Sequence, residues 1–266
     1  MRIIDPHTHM SSRVTDDYER MALAGVEAVV EPAFWLGSPR TSAGSFRDYF
    51  ELILGWEAQR AKQFGIAHFS CLSLNPREAN DEALQREVLP LVEQYCQREG
   101  CVGIGEIGFD RQTDAEEVAF RAQLRLARKH RLPALIHLPH QHKAAGTART
   151  LQVVADEGLD PGSVLVDHHT EETMPLLAGT KYWRGLTVYY VTKLTAERAA
   201  NLVEQYGVER LLINSSCDWG YSDPLAVPKV VRELQRRGMS RDQLEQLVFR
   251  NPIAFFGQAD RWTFRP

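Results

Sequence analysis

The sequence predicts an α/β protein folded as a closed (β/α)8 TIM barrel, and three observations carry that expectation. Short apolar segments rich in β-branched residues alternate with longer amphipathic, charged segments along the chain, the pattern of βα repeats around a parallel sheet. Eight strand-like segments occur, each followed by a helical one, and eight is the number that closes such a barrel. An open doubly wound sheet of this size would more often carry a Gly-rich turn after its first strand; here that strand runs into DPHTH, residues 5 to 9.

The elements follow in order. Strands are expected at RIIDPH (2–7), VEAVVEP (26–32), IAHFSCLSL (66–74), CVGIGEIG (101–108), PALIHL (133–138), SVLVDH (163–168), GLTVYY (185–190) and RLLINS (210–215). Helices at 16–25, 45–65 and 194–207 end on Gly25, Gly65 and Gly207, a residue suited to a left-handed helix stop. Those at 114–130 and 223–238 place apolar residues three and four apart, as one buried helix face requires. The tail, 240–257, adds one or two helices against the barrel. No linker, repeat or low-complexity tract interrupts residues 1–266, which are expected to form one domain.

Composition narrows the function classes. The chain of 266 residues carries a formal net charge of -4, so no basic excess draws it to nucleic acid or anionic lipid. A chain of this length buries enough surface to need no disulfides. Its four cysteines, Cys71, Cys96, Cys101 and Cys217, include no CxxC pair. They read as reduced thiols of a cytoplasmic protein, with a Cys96–Cys101 disulfide as the alternative. MRIIDPHTH is no export leader, and no apolar run approaches a membrane span.

Barrel enzymes take their reactive groups from the C-terminal ends of the strands. There the sequence places His7 and His9 on the first strand, Glu106 on the fourth, His137 on the fifth, His168 or its neighbour His169 on the sixth, and Asp218 just beyond the eighth. Residues two apart in an extended segment point the same way, so His7 and His9 can aim at one ion. Imidazole and carboxylate are ordinary ligands of zinc and similar divalent metals. Each residue has an unremarkable explanation when taken singly. Five strand ends with the right donors in one chain point to a metal site.

These residues, in the order DPHTH, GEIGFD (105–110), LIHL, VDH and a late aspartate, resemble the amidohydrolase superfamily and its TatD-like branch of metal-dependent hydrolases. NPIAFF (251–256) resembles the asparagine-containing terminal helix of that branch. The resemblance spans nearly the whole chain. It implies two divalent ions, zinc first, with manganese, iron or magnesium as other occupants. His7, His9 and Asp218 would hold one ion, His137 and His168 the other, and Glu106 would bridge them. It also implies that Asp218 is the catalytic general base in the hydrolysis of an ester, amide or phosphoester. DHHTEET (167–173) and SSCDWGYSDP (215–224) depart from the branch's usual His-Cys-Phe and Thr-Asp-Ser/Ala-Pro segments. Both lie around the substrate, which favours a small-molecule substrate over the branch's DNase activity. A catalytically silent scaffold barrel is the third reading, and the intact ligand set argues against it.

Four further residues are expected near the substrate. Arg40, in the long loop 33–44, is placed to hold an anionic group or to stand in solvent. Lys193 follows the seventh strand, and Trp219 and Tyr221 follow Asp218 as a possible apolar wall. His140 and His142 are close enough in sequence to His137 to reach the mouth of the site.

Overall fold

The β-branched runs become strands buried on both faces, as parallel strands inside a ring of helices must be. The computed structural model describes residues 1–35 and 37–265. Its strands are β1 (Ile3–Asp5), β2 (Val26–Pro32), β3 (Ala67–Leu72), β4 (Cys101–Gly108), β5 (Ala134–His137), β6 (Val164–Asp167), β7 (Trp183–Thr187) and β8 (Leu211–Asn214). They pair in parallel and in chain order from β1 to β8. Every residue of β4, β6 and β8 is buried. The ring closes just above the ends of β8 and β1, where Ser216 N donates to His7 O at 2.8 Å and His9 N to Cys217 O at 2.8 Å.

Several strands are shorter than the sequence suggests. β1 stops at Asp5, because Pro6 has no N–H for the ladder. His7 and His9 therefore stand on the extended segment above the strand. Helix Ala43–Glu51 continues through a π turn, Leu52–Trp56, into helix Glu57–Lys62. Between β6 and β7 the expected helix is replaced by one 3-10 turn, Met174–Leu177; Pro175 starts that turn, and Gly179 follows it at φ +76°.

The remaining helices are Thr15–Leu23, Glu82–Tyr95, Asp114–His130, Lys143–Asp156, Ala196–Tyr206 and Ala226–Arg236. Thr113 and Thr195 cap two of them by accepting from N–H groups three residues on, a contact typically worth about 1 kcal/mol. Gly25 ends the first at φ +89°, where an added Cβ would lie 2.4 Å from Met1 O. The tail forms helices Arg241–Glu245 and Asn251–Phe256, joined by a π turn. Asn251 Nδ2 donates to Val208 O at 2.6 Å and Leu211 O at 2.8 Å, tying the tail to the start of β8. All four cysteines are free and buried, so Cys96 and Cys101 are not bridged. Among the described residues, no helix is long and apolar enough to cross a membrane.

Candidate metal centre

Four of the expected ligands meet at Glu106. His168 Nε2 is 2.8 Å from Glu106 Oε1, His137 Nδ1 is 3.1 Å from the same oxygen, and His7 Nε2 is 3.5 Å away. His9 Nε2 lies 3.9 Å from Glu106 Oε2 and 3.1 Å from His7 Nε2. Ligand atoms of His7, Glu106 and His168 all fall within 4.8 Å of one another. His168 takes φ +66°, a left-handed turn that breaks the strand directly after Asp167. Such backbone is uncommon outside glycine and concentrates at functional sites. His169 faces elsewhere, with Nδ1 at 2.9 Å from Thr173 Oγ1.

The proton inventory shows why this cluster suits a cation. His7 Nδ1–H donates to Asp167 Oδ2 at 2.6 Å, and His9 Nδ1–H to Pro32 O at 3.2 Å. Thr187 Oγ1 donates to Asp167 Oδ1 at 3.2 Å, which leaves it to accept from His168 Nδ1–H at 2.7 Å. In the neutral rings all three Nε2 atoms therefore carry lone pairs, aimed at one another and at a carboxylate. Lone pair against lone pair at these separations is repulsive unless a proton or a metal ion stands between them. Histidines whose other nitrogen donates to a carboxylate, carbonyl or hydroxyl are the usual form of metal-ligating imidazole. The donor set fits a divalent ion.

Electrostatics agree. Burial would raise the Glu106 carboxyl, but the charge of His7 and the bonds from His137 and His168 hold it well below the usual carboxylate range. Burial would push the His7 imidazole down, but Glu106 and Asp167 hold it above its ordinary value. A histidine ligates metal only when neutral, so protons compete with metal most strongly at His7. Acidification is expected to release the ion, with metal loss beginning above the ordinary imidazole range because His7 takes up its proton there. Metal analysis after dialysis at each pH checks this; content that stays constant to the acid end would refute it.

Above the cluster opens a cavity of about 640 Å³, lined in part by Phe34, Trp35, Arg77, Lys193, Asp218 and Trp219. Asp218 lies outside the cluster of His7, Glu106 and His168: its Oδ1 accepts from Tyr189 OH at 3.0 Å and Gly220 N at 2.7 Å. Burial and the charge of Asp218 push the Tyr189 hydroxyl up to about 12, so it stays a donor at working pH. Phe34 stacks on His9 at 3.8 Å between centroids, and Trp219 stacks on Phe34 at 5.0 Å. Trp219 thus forms an apolar wall, whereas Tyr221 is 77% exposed and outside the cavity lining. Arg40 is also outside it. Its guanidinium bonds both Glu78 oxygens at 2.9 and 2.8 Å and Phe34 O at 2.8 Å, so its charge is spent inside the protein. His140 lines the cavity, and His142 lines a smaller one beside it.

The residues that hold these ligands in place carry little signal in the sequence. Asp167 is wholly buried and accepts from His7, Thr187, the His168 backbone and Asn214. Its one signal was its place in VDH, a carboxylate directly before a candidate ligand.

A ring of eight parallel strands with a histidine–carboxylate cluster above their C-terminal ends defines a metal-dependent hydrolase built on a (β/α)8 barrel. The family model described as TatD related DNase matches residues 4–257. The chain belongs to that family. An uncharacterized metal-dependent hydrolase of Methanocaldococcus jannaschii is 27% identical over 96% of this chain and 99% of its own. A TatD-like protein from Archaeoglobus fulgidus shares the fold at a TM-score of 0.79 and 24% identity, covering 96% of this chain and 99% of that one. A phosphotriesterase homology protein from Escherichia coli, whose structure holds phosphate in its active site, superposes at a TM-score of 0.69 and 16% identity, covering 96% and 98%. The protein therefore uses divalent metal to hydrolyse its substrate.

Proposed function

We propose that the whole chain acts as one hydrolase domain that cleaves an ester, amide or phosphoester bond in a small organic molecule. In this reading two ions, zinc the best match to so histidine-rich a set, are held by His7, His9, His137, His168 and Asp218 around Glu106. When bound, such ions make water nucleophilic near neutral pH and polarise the bond under attack. The protein's own groups do the rest. Asp218, with Oδ1 held by Tyr189 and Gly220, takes the water's proton on Oδ2 and returns it to the leaving group. Phe34 and Trp219 exclude water and present a flat apolar face to the substrate.

The observation that carries this reading is the convergence of three imidazole lone pairs on Glu106 beneath a cavity of about 640 Å³. That volume matches small-molecule sites. A strand of DNA would need a positively charged groove, and the chain's net charge of -4 argues for the small molecule.

Asp218→Asn is expected to cut turnover by about 10²- to 10⁴-fold, the usual contribution of general-base catalysis, while most of the metal stays bound. Parallel assays of the metal-loaded protein on aryl esters, lactones and single-stranded DNA test the substrate class. Cleavage of DNA with esters and lactones untouched would replace this reading with the nuclease.

A further inference from the structure

We propose that Lys143 and Lys193 form an anion-binding subsite beside the metal centre, which seats a phosphate or carboxylate group carried by the substrate. The assignment to substrate rests on the hydrolase reading above; the subsite itself rests on the geometry of the two lysines.

A second cavity, of about 590 Å³, adjoins the main one. His140, Thr192 and Lys193 line both, so a molecule at the metal centre can extend into it. Lys143, which also lines this second cavity, is only 9% exposed. Its Nζ makes one long hydrogen bond, 3.3 Å to Pro139 O. Lysines are almost never so deeply buried unless paired, because an ammonium out of water needs a compensating partner. Among the described residues, no carboxylate lies within salt-bridge distance of Lys143 or Lys193. The half-buried Lys193 stands 5.3 Å from the centroid of the Tyr189 ring.

Arg198, the other fixed cation in this cavity, is already paired, and Glu172 acts on Lys143 only through its charge. Arg198 is bound to both Glu171 oxygens at 2.9 and 2.6 Å. Glu172 stands exposed at the rim, where it accepts from Ala144 N at 3.3 Å. Lys143 also opens the helix Lys143–Asp156, whose N-cap, His142, makes no side-chain cap bond, and whose positive end is met in part by Glu172 at Ala144 N. Burial and the charge of Lys193 hold the Lys143 ammonium down to about 8, against the more distant charges of Asp167 and Glu172, and neither lysine has a carboxylate in ion-pair contact. An anion held in the cavity that both lysines line gains charge-assisted hydrogen bonds from each ammonium it reaches. The substrate class that follows is a small organic molecule with one anionic group set apart from the bond that is cleaved.

Pyridoxal 5′-phosphate is a direct probe on the metal-loaded enzyme. Its aldehyde condenses with a lysine amine with loss of water, borohydride reduces the imine, and peptide mass spectrometry locates the product. With the probe's phosphate held by the Lys193 ammonium, its aldehyde is presented to the Lys143 amine. Modification of Lys143 is expected to be about tenfold faster than with pyridoxal, which lacks the phosphate, as the strength of hydrogen bonds to charged groups implies. Inorganic phosphate should protect, and the preference should vanish in Lys193→Gln. Equal modification by the two aldehydes would overturn the subsite, as would a preference that survives in Lys193→Gln, since the anion would then be anchored elsewhere. Protection by phosphate but not succinate assigns a phosphate group; protection by succinate as well admits a carboxylate; protection by neither overturns the proposal. Labelling needs no turnover. If it behaves as expected while no ester, amide or phosphoester is hydrolysed, the subsite stands and the hydrolase reading of the substrate falls.

Discussion

Glu106→Gln is expected to empty the metal centre while leaving the barrel folded. The Glu106 carboxylate is the one negative charge that His7, His137 and His168 all approach, at 3.5, 3.1 and 2.8 Å. Replacing it with an amide removes the charge that compensates a divalent ion. The amide also supplies an N–H that can donate to the His168 Nε2 lone pair, so the apoprotein loses little. Changing a group behind the ligands typically costs about 10- to 100-fold in metal affinity, and loss of a ligand itself should cost at least the upper end of that range. Metal content after gel filtration, beside a circular dichroism melt, measures both halves of the expectation. A variant that keeps wild-type metal and turnover would remove Glu106 from the centre.

Asp167→Asn should damage stability and metal binding together. Every neighbour of this carboxylate is a donor: His7 Nδ1 at 2.6 Å, the His168 backbone N at 2.6 Å, Thr187 Oγ1 at 3.2 Å and Asn214 Nδ2 at 3.0 Å. An asparagine amide turns one of its two ends into a donor facing donors, whichever way it is rotated. A buried donor left unpaired costs about 1 to 3 kcal/mol, more where charge is involved, so a loss of about 2 to 4 kcal/mol is expected in denaturant unfolding. Without the carboxylate, His7 also loses the partner that keeps its proton on Nδ1, and metal affinity should fall by about 10- to 100-fold. Wild-type unfolding together with wild-type metal affinity would show that Asp167 is a bystander.

Much of this was legible in the chain before folding. The alternation of β-branched and amphipathic segments is a local property, and it named all eight strands. Pro6 shortened the first, and the Pro175 turn left β6 and β7 joined without an α-helix. The donors His7, His9, Glu106, His137 and His168 were legible because strand ends are recognisable and residues two apart face the same way. Arg40 was not. In a loop it looks like an anion holder, yet Glu78, 38 residues along, takes its guanidinium. Lys143 was missed because a lysine that begins a helix after HLPHQH reads as solvated, and only its burial beside Lys193 marks it out.

Local chain chemistry thus decided which donor types stand at the rim of the barrel and in what order. Packing decided what they do there. The nitrogen that carries the proton on His7 depends on Asp167, 160 residues away, and that on His168 depends on Thr187, 19 residues away on the next strand. Lone pairs aimed at one point, a carboxylate surrounded by donors and two ammonium groups without an ion-pair contact are relations between side chains far apart in sequence. They exist only once the eight strands have closed the ring.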